Sequence, residues 1–284
     1  MSEIIQLTLG HSPDPDDAFM HYALAKDKID TGPYRFEHIL QDIQTLNERA
    51  TRGELDITAI SVHAYAYVSD KYALLPSGAS MGDRYGPMVV AREAWEPKDL
   101  DGKRIAIPGL MTSAYLELRL ALSEIGAEFE PFVVPFDEII QRVKSGEFDA
   151  GLIIHEGQLT YGKEGLHSVL ELGIWWDELT GGLPLPLGAN TIHKRHGEAM
   201  PHIARILEES IRYGLDHRAE ALNYALGWAR DMETDLADEF VGMYVNHWTL
   251  DYGEKGRAAI TELLERAHKA GLIPAVPGLE FISI

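Results

Sequence analysis

Up to about residue 190 the apolar residues come in short runs, each closed by glycine, proline or a small polar residue. Runs at 4–9, 34–40, 57–61, 88–91, 105–107, 132–134, 150–154 and 169–172 have strand length. Between them the apolar spacing turns helical. Pro13 and Pro15 alternate around Asp14, so Asp14 reads as an N-cap with a helix running on through Phe19, Met20, Ala23 and Leu24. Asp42 caps a helix over Ile43, Leu46 and Ala50, and residues 62–68 make another. Thr112 and Ser113 open a helix carrying Leu116, Leu120 and Ile125 that stops at Gly126, and residues 136–144 form the next. Strand, loop and helix repeated three times within the first 70 residues predict an α/β fold with parallel strands. From Pro201 onward the stripes are helical only, as in Ile203, Ile206, Leu207 and Ile211, and these read as core contacts.

Two stretches lack either period. Residues 77–87 are glycine-rich and read as a flexible connector. Residues 180–188 alternate proline with leucine, which is unsuited to a central strand and suits a return crossing. Crossings near residues 92 and 187 give two domains: a larger one from 1–92 plus 188–284, and a smaller inserted one from 93–187. Strand ends then face one another across an inter-domain cleft.

Four of those ends carry polar groups: Ser12, Ser61, the pair Thr112-Ser113, and His155-Glu156. The last follows the small apolar strand 150–154 without a break. A titratable group at the C-terminal end of a buried strand sits where α/β folds place chemistry. An imidazole there can gain or lose a proton near neutral pH. It can equally be a core His held by one backbone bond, and Thr112 and Ser113 can be caps and nothing more. Read as a site, hydroxyls and helix N-termini would hold a small anion without a lysine or arginine.

Composition narrows the classes. The formal net charge of −20 disfavours nucleic acid and anionic membrane partners. No cysteine is present, so disulfides, thiolate metal sites and Cys nucleophiles are excluded. His11 and His63 lie near two of the strand ends, yet no His-x-x-x-His spacing supports a metal. Gly-x-Gly-x-x-Gly, Gly-x-x-x-x-Gly-Lys-Ser/Thr and Gly-x-Ser-x-Gly runs are absent. Residues 1–10 already read as strand, with no basic or apolar leader and no apolar run of about 18 residues anywhere, so a cytoplasmic protein is expected.

The runs His11-Ser-Pro-Asp-Pro-Asp-Asp-Ala-Phe19, Ala59-Ile-Ser61, Pro108-Gly-Leu-Met-Thr-Ser-Ala-Tyr115, Gly151-Leu-Ile-Ile-His-Glu156 and Gly182-Leu-Pro-Leu-Pro-Leu-Gly188 resemble the 1,4-dihydroxy-6-naphthoate synthase family. The likeness extends from the first strand into the C-terminal helices. It implies a type II periplasmic-binding-protein-like fold used by a carbon–carbon lyase of the futalosine route to menaquinone, acting on cyclic dehypoxanthine futalosine. It implies His155 as proton acceptor, and substrate contacts at Ala59, Ile60 and Ser61 and at Ser113 and Ala114. A small carboxylate substrate and no cofactor are expected, with a homodimer left open. Two departures stand out: Asp14 and Asp16 replace the family's frequent Cys and Asn, and Ala59 replaces a frequent Lys. Competing readings are a small-anion binding protein without chemistry, and a chorismate dehydratase-like enzyme on the same fold.

Overall fold

The structure, a computed structural model, describes residues 4–229 and 233–284; residues 1–3 of the N-terminal strand reading lie outside it. The chain opens with β1 (Ile5–His11), α1 (Pro15–Met20), α2 (Tyr22–Ala25), β2 (Tyr34–Leu40), α3 (Ile43–Thr51), β3 (Ile57–Ser61), α4 (Val62–Val68), β4 (Tyr72–Leu74) and β5 (Ser80–Gly82). There follow β6 (Met88–Ala91), β7 (Arg104–Ile107), α5 (Ser113–Glu124), β8 (Glu130–Val133), α6 (Ile139–Lys144), β9 (Ala150–Ile153), α7 (Gly157–Thr160), β10 (His167–Glu171) and α8 (Leu172–Thr180). Next come β11 (Leu185–His193), α9 (Met200–Asp216), α10 (Arg218–Ala225), α11 (Thr234–Tyr244), α12 (His247–Leu250) and α13 (Gly253–Lys269).

Two sheets result, ordered β2-β1-β3-β11-β4 with β5 beside β11, and β10-β6-β9-β7-β8. The β1–β2, β1–β3, β7–β8 and β7–β9 pairs are parallel, as the βαβ pattern requires. Every residue of β3 is buried, because helices cover both faces of this central strand. One apolar core runs from Ile60 and Leu74 through α4 and α5 to Ile105 and Leu152, so both sheets share it. A second joins Leu7, Leu9 and Ile57 to Ile203 and Leu207 of α9. Under α6, Gly151 admits the helix onto β9: a Cβ there would lie 2.5 Å from Ile139 Cγ2 and 2.7 Å from Val143 Cγ2.

Three details differ from the sequence reading. Residues 88–91, placed there in the first domain, form β6 and pair with β9 and β10 in the second sheet. The chain therefore passes from the first sheet to the second at residues 83–87, which pack against the start of α8. A Cβ on Gly173 would fall 2.2 Å from Tyr85 O, so backbone touches backbone at that point. The connector at 77–87 is also not free loop, since it contains β5. Finally, Leu185–His193 is an interior strand that includes Pro186. Pro186 is opposite Met81 of β5, and β3 joins only from Gly188, so the missing N–H falls where β11 has a neighbour on one side.

Three histidines cluster where β1 meets α1 and α2. His11 and His21 ring centroids are 4.8 Å apart, and His11 Nε2 lies 2.9 Å from His38 Nδ1. Burial lowers all three from the usual value, His11 to about 4, aided for His11 by the neighbouring His38. A depressed imidazole binds protons in the unfolded chain first. Stability is therefore full above the ordinary histidine value and is lost as pH falls below about 6.5. Urea unfolding of His21→Leu should show a slope against pH smaller by up to about 1.4 kcal/mol per pH unit between pH 6 and 5. An unchanged slope would mean that His21 does not titrate on unfolding.

Candidate active site

The C-terminal ends of β1, β3 and β9 and the start of α5 open on one cavity. It is open to solvent, and its empty space counted out through the mouth is about 800 Å³. Ser12, Ala59, Ile60, Ser61, Thr112, Ser113 and Ala114 all line it, so stretches a hundred residues apart in sequence converge.

Most of the hydroxyls there are committed to the protein. Asn47, fully buried on α3, accepts the Ser61 N–H at 2.8 Å and donates Nδ2 to Ser61 Oγ at 3.0 Å and to Met111 O at 3.3 Å. It ties the end of β3 to the loop before α5. Ser113 Oγ donates to Leu187 O at 2.5 Å and accepts from His63 N at 3.3 Å. Thr112 Oγ1 accepts from Tyr115 N at 3.2 Å and donates to Gly109 O at 2.9 Å, so its capping role is real. For a guest, the attractive feature is the N-terminus of the 12-residue α5, whose first amides and dipole favour negative charge.

Part of the wall is acidic. Asp14, Asp16 and Asp17 line it, and among the described residues no Lys, Arg or His is part of the lining. Burial raises Asp16 and Asp17 above the usual carboxylate range; the charge of Asp17 adds to this at Asp16. Asp17 Oδ2 accepts the Ser12 N–H at 2.7 Å, which partly offsets its shift.

His155 stands just outside the cavity wall. Its neighbour Ile154 lines the cavity; the imidazole, 8% exposed, does not. Gly157 N–H donates to Nδ1 at 2.9 Å, so Nε2 carries the hydrogen and donates to Phe136 O at 3.0 Å. The ring is held by the turn that opens α7. Glu156 Oε2 lies 3.6 Å from Nδ1. Among the described residues no group of three or more His, Cys, Asp or Glu is arranged to hold a metal ion, and no helix is long and apolar enough to cross a membrane.

Sequence reasoning missed several lining residues. Tyr244 and Phe240 fall on an apolar stripe of α11 that reads as core. Asn190 lies in β11, which was not read as a strand. Asp16 stands out in the sequence only as a departure from the family's frequent Asn. For Asn47, a polar residue inside the apolar stripe of α3, the signal was present.

A family profile described as menaquinone biosynthesis matches residues 7–269. The chain belongs to the menaquinone biosynthesis family. Two proteins called 1,4-dihydroxy-6-naphtoate synthase share its sequence at nearly full length. The one from Thermus thermophilus is 41% identical over 280 residues, covering 97% of this chain and 99% of its own. The one from Streptomyces coelicolor is 39% identical over 273 residues, covering 95% of each. A crystal structure of an Archaeoglobus fulgidus protein is 46% identical, with TM-score 0.89 over 94% of this chain and 98% of that one. The alkanesulfonate-binding protein of Xanthomonas axonopodis pv. citri, bound to MOPS, matches at TM-score 0.72 and 14% identity over 98% of both chains. That likeness concerns fold alone: this menaquinone biosynthesis chain has the periplasmic-binding-protein fold.

Proposed function

We propose that the protein is a cytoplasmic carbon–carbon lyase that converts cyclic dehypoxanthine futalosine to 1,4-dihydroxy-6-naphthoate, with His155 as proton acceptor. The observation that carries the reading is the convergence of Ser12, Ala59–Ser61 and Thr112–Ala114 on one cavity, in a chain of this family. The aryl carboxylate sits at the start of α5, where amides and dipole favour it. The hydroxyl-bearing part faces Asp14, Asp16 and Asp17, which bond hydroxyls better than they tolerate a second carboxylate. The lobes built on the two sheets close on the guest, and the imidazole swings from Phe136 toward the space beside Ile154. It takes a proton from the substrate, one carbon–carbon bond breaks in a retro-aldol sense, and the sugar-derived fragment leaves as the naphthoate aromatises. Holding base and substrate together supplies orientation, and the base itself about 10²–10⁴-fold.

One observation favours a binding protein without chemistry: the seat of the imidazole outside the cavity wall. Incubation with the cyclic futalosine derivative separates the two readings. The lyase yields naphthoate, followed by absorbance and mass. Unchanged substrate after long incubation with saturating protein overturns it.

A further inference from the structure

A buried hydrogen bond joins the turn that carries His155 to α11. Tyr244, at the end of α11, donates its hydroxyl to Gln158 Oε1 at 2.9 Å, across 86 residues of sequence. Tyr244 is 4% and Gln158 5% exposed. Gln158 is the second residue of α7, and its own N–H donates to His155 O at 3.0 Å. One residue earlier, the Gly157 N–H holds His155 Nδ1 at 2.9 Å. A short run of backbone thus links the carboxamide to the imidazole.

Tyr244 is itself rigidly seated. Its ring packs against Phe240 at 5.2 Å and edge-on against Tyr85 at 5.9 Å between centroids. Tyr85 OH donates to Met243 O, and Thr249 Oγ1 donates to Tyr244 O at 2.9 Å. The Gln158 end has no comparable support. Its Nε2 is buried without a hydrogen-bond partner among the described residues. Among the described residues, the phenol is therefore the hydrogen-bond partner that orients the carboxamide of Gln158. A helix of four residues has too few internal bonds to hold its own geometry.

We propose that Tyr244 and Gln158 form a positioning pair: the phenol of α11 clamps α7 through the Gln158 carboxamide and so fixes the imidazole of His155 for proton transfer. The inference rests on the reading of His155 as proton acceptor. Neither residue takes the proton; both act through the orientation of another group, so their removal lowers kcat rather than substrate affinity.

The test is a double-mutant cycle with two readouts. Tyr244→Phe and Gln158→Leu should each lower kcat about tenfold with KM changed less than about twofold, and the double variant should lose no more than the worse single one. Amide hydrogen exchange at Gly157 and Gln158, measured without substrate, should be at least about tenfold faster in each variant and unchanged at Leu152. A rise in KM at constant kcat, multiplicative losses, or unaltered exchange at residues 157–158 would overturn the clamp. The two claims fail separately. A wild-type protein that does not turn over the substrate defeats the lyase reading, while the exchange measurement still decides whether the phenol holds the turn.

Discussion

His155→Ala should retain the fold and bind the cyclic substrate within about threefold of wild type, yet lose about 10²–10⁴-fold in kcat. The ring is buried but outside the cavity lining, anchored by Gly157 N–H and Phe136 O. His155→Asn should lose as much, because a carboxamide can accept the Gly157 hydrogen bond and yet is no base near neutral pH. Calorimetric titration with substrate, alongside single-turnover assays, measures both numbers. Full turnover in His155→Ala removes the residue from the chemistry. Loss of binding together with turnover would instead make it part of the cavity's structure.

Asn47→Leu should be the most damaging change outside the His155 turn. The two side chains share a branched outline, but Leu is the larger, so at this fully buried position overpacking adds to the loss of the polar contacts. Ser61 N–H loses its acceptor at a buried strand end, and the link from Ser61 Oγ through Nδ2 to Met111 O disappears. A buried donor left unpaired costs about 1–3 kcal/mol, and the lost bonds add to that, so about 2–4 kcal/mol of stability should go. The same change frees the end of β3 from the loop before α5, so the two halves of the carboxylate site lose their register. KM should rise at least tenfold, in contrast to His155→Ala. Thermal melts and steady-state kinetics check the two effects; a stable variant with ordinary KM would show that the bridge is ornamental.

Much of this arrangement is visible in the sequence because its signals are local. Strands 34–40 and 57–61 and the helix at 62–68 appear with the bounds read from apolar spacing. Asp42 caps its helix through Thr45 N at 3.0 Å, as a short acidic residue before an apolar stripe predicts. Ser12, Ser61, Thr112 and Ser113, chosen at strand and helix ends, line one cavity, together with Ala59, Ile60 and Ala114, which only the family resemblance pointed to. What escaped depends on partners far along the chain. Pro186 is tolerated in β11 only because β3 starts pairing two residues later, which no local pattern reveals. The sheet to which residues 88–91 belong is decided by β9 and β10, both still to come in sequence. Tyr244 looks like one more apolar-stripe residue until its hydroxyl is seen to reach α7. The seat of the imidazole is likewise set by Phe136 O, a contact of tertiary origin.

The decisive measurement is a crystal structure of the protein with 1,4-dihydroxy-6-naphthoate or an inert substrate analogue in the cavity. The account predicts the aryl carboxylate at the start of α5 and one imidazole nitrogen of His155 released from its backbone partner, within about 3.2 Å of the ligand atom that carries or replaces the transferred proton. A ligand lying in the cavity while the ring stays bound to Phe136 O and Gly157 N–H, out of reach, would contradict it.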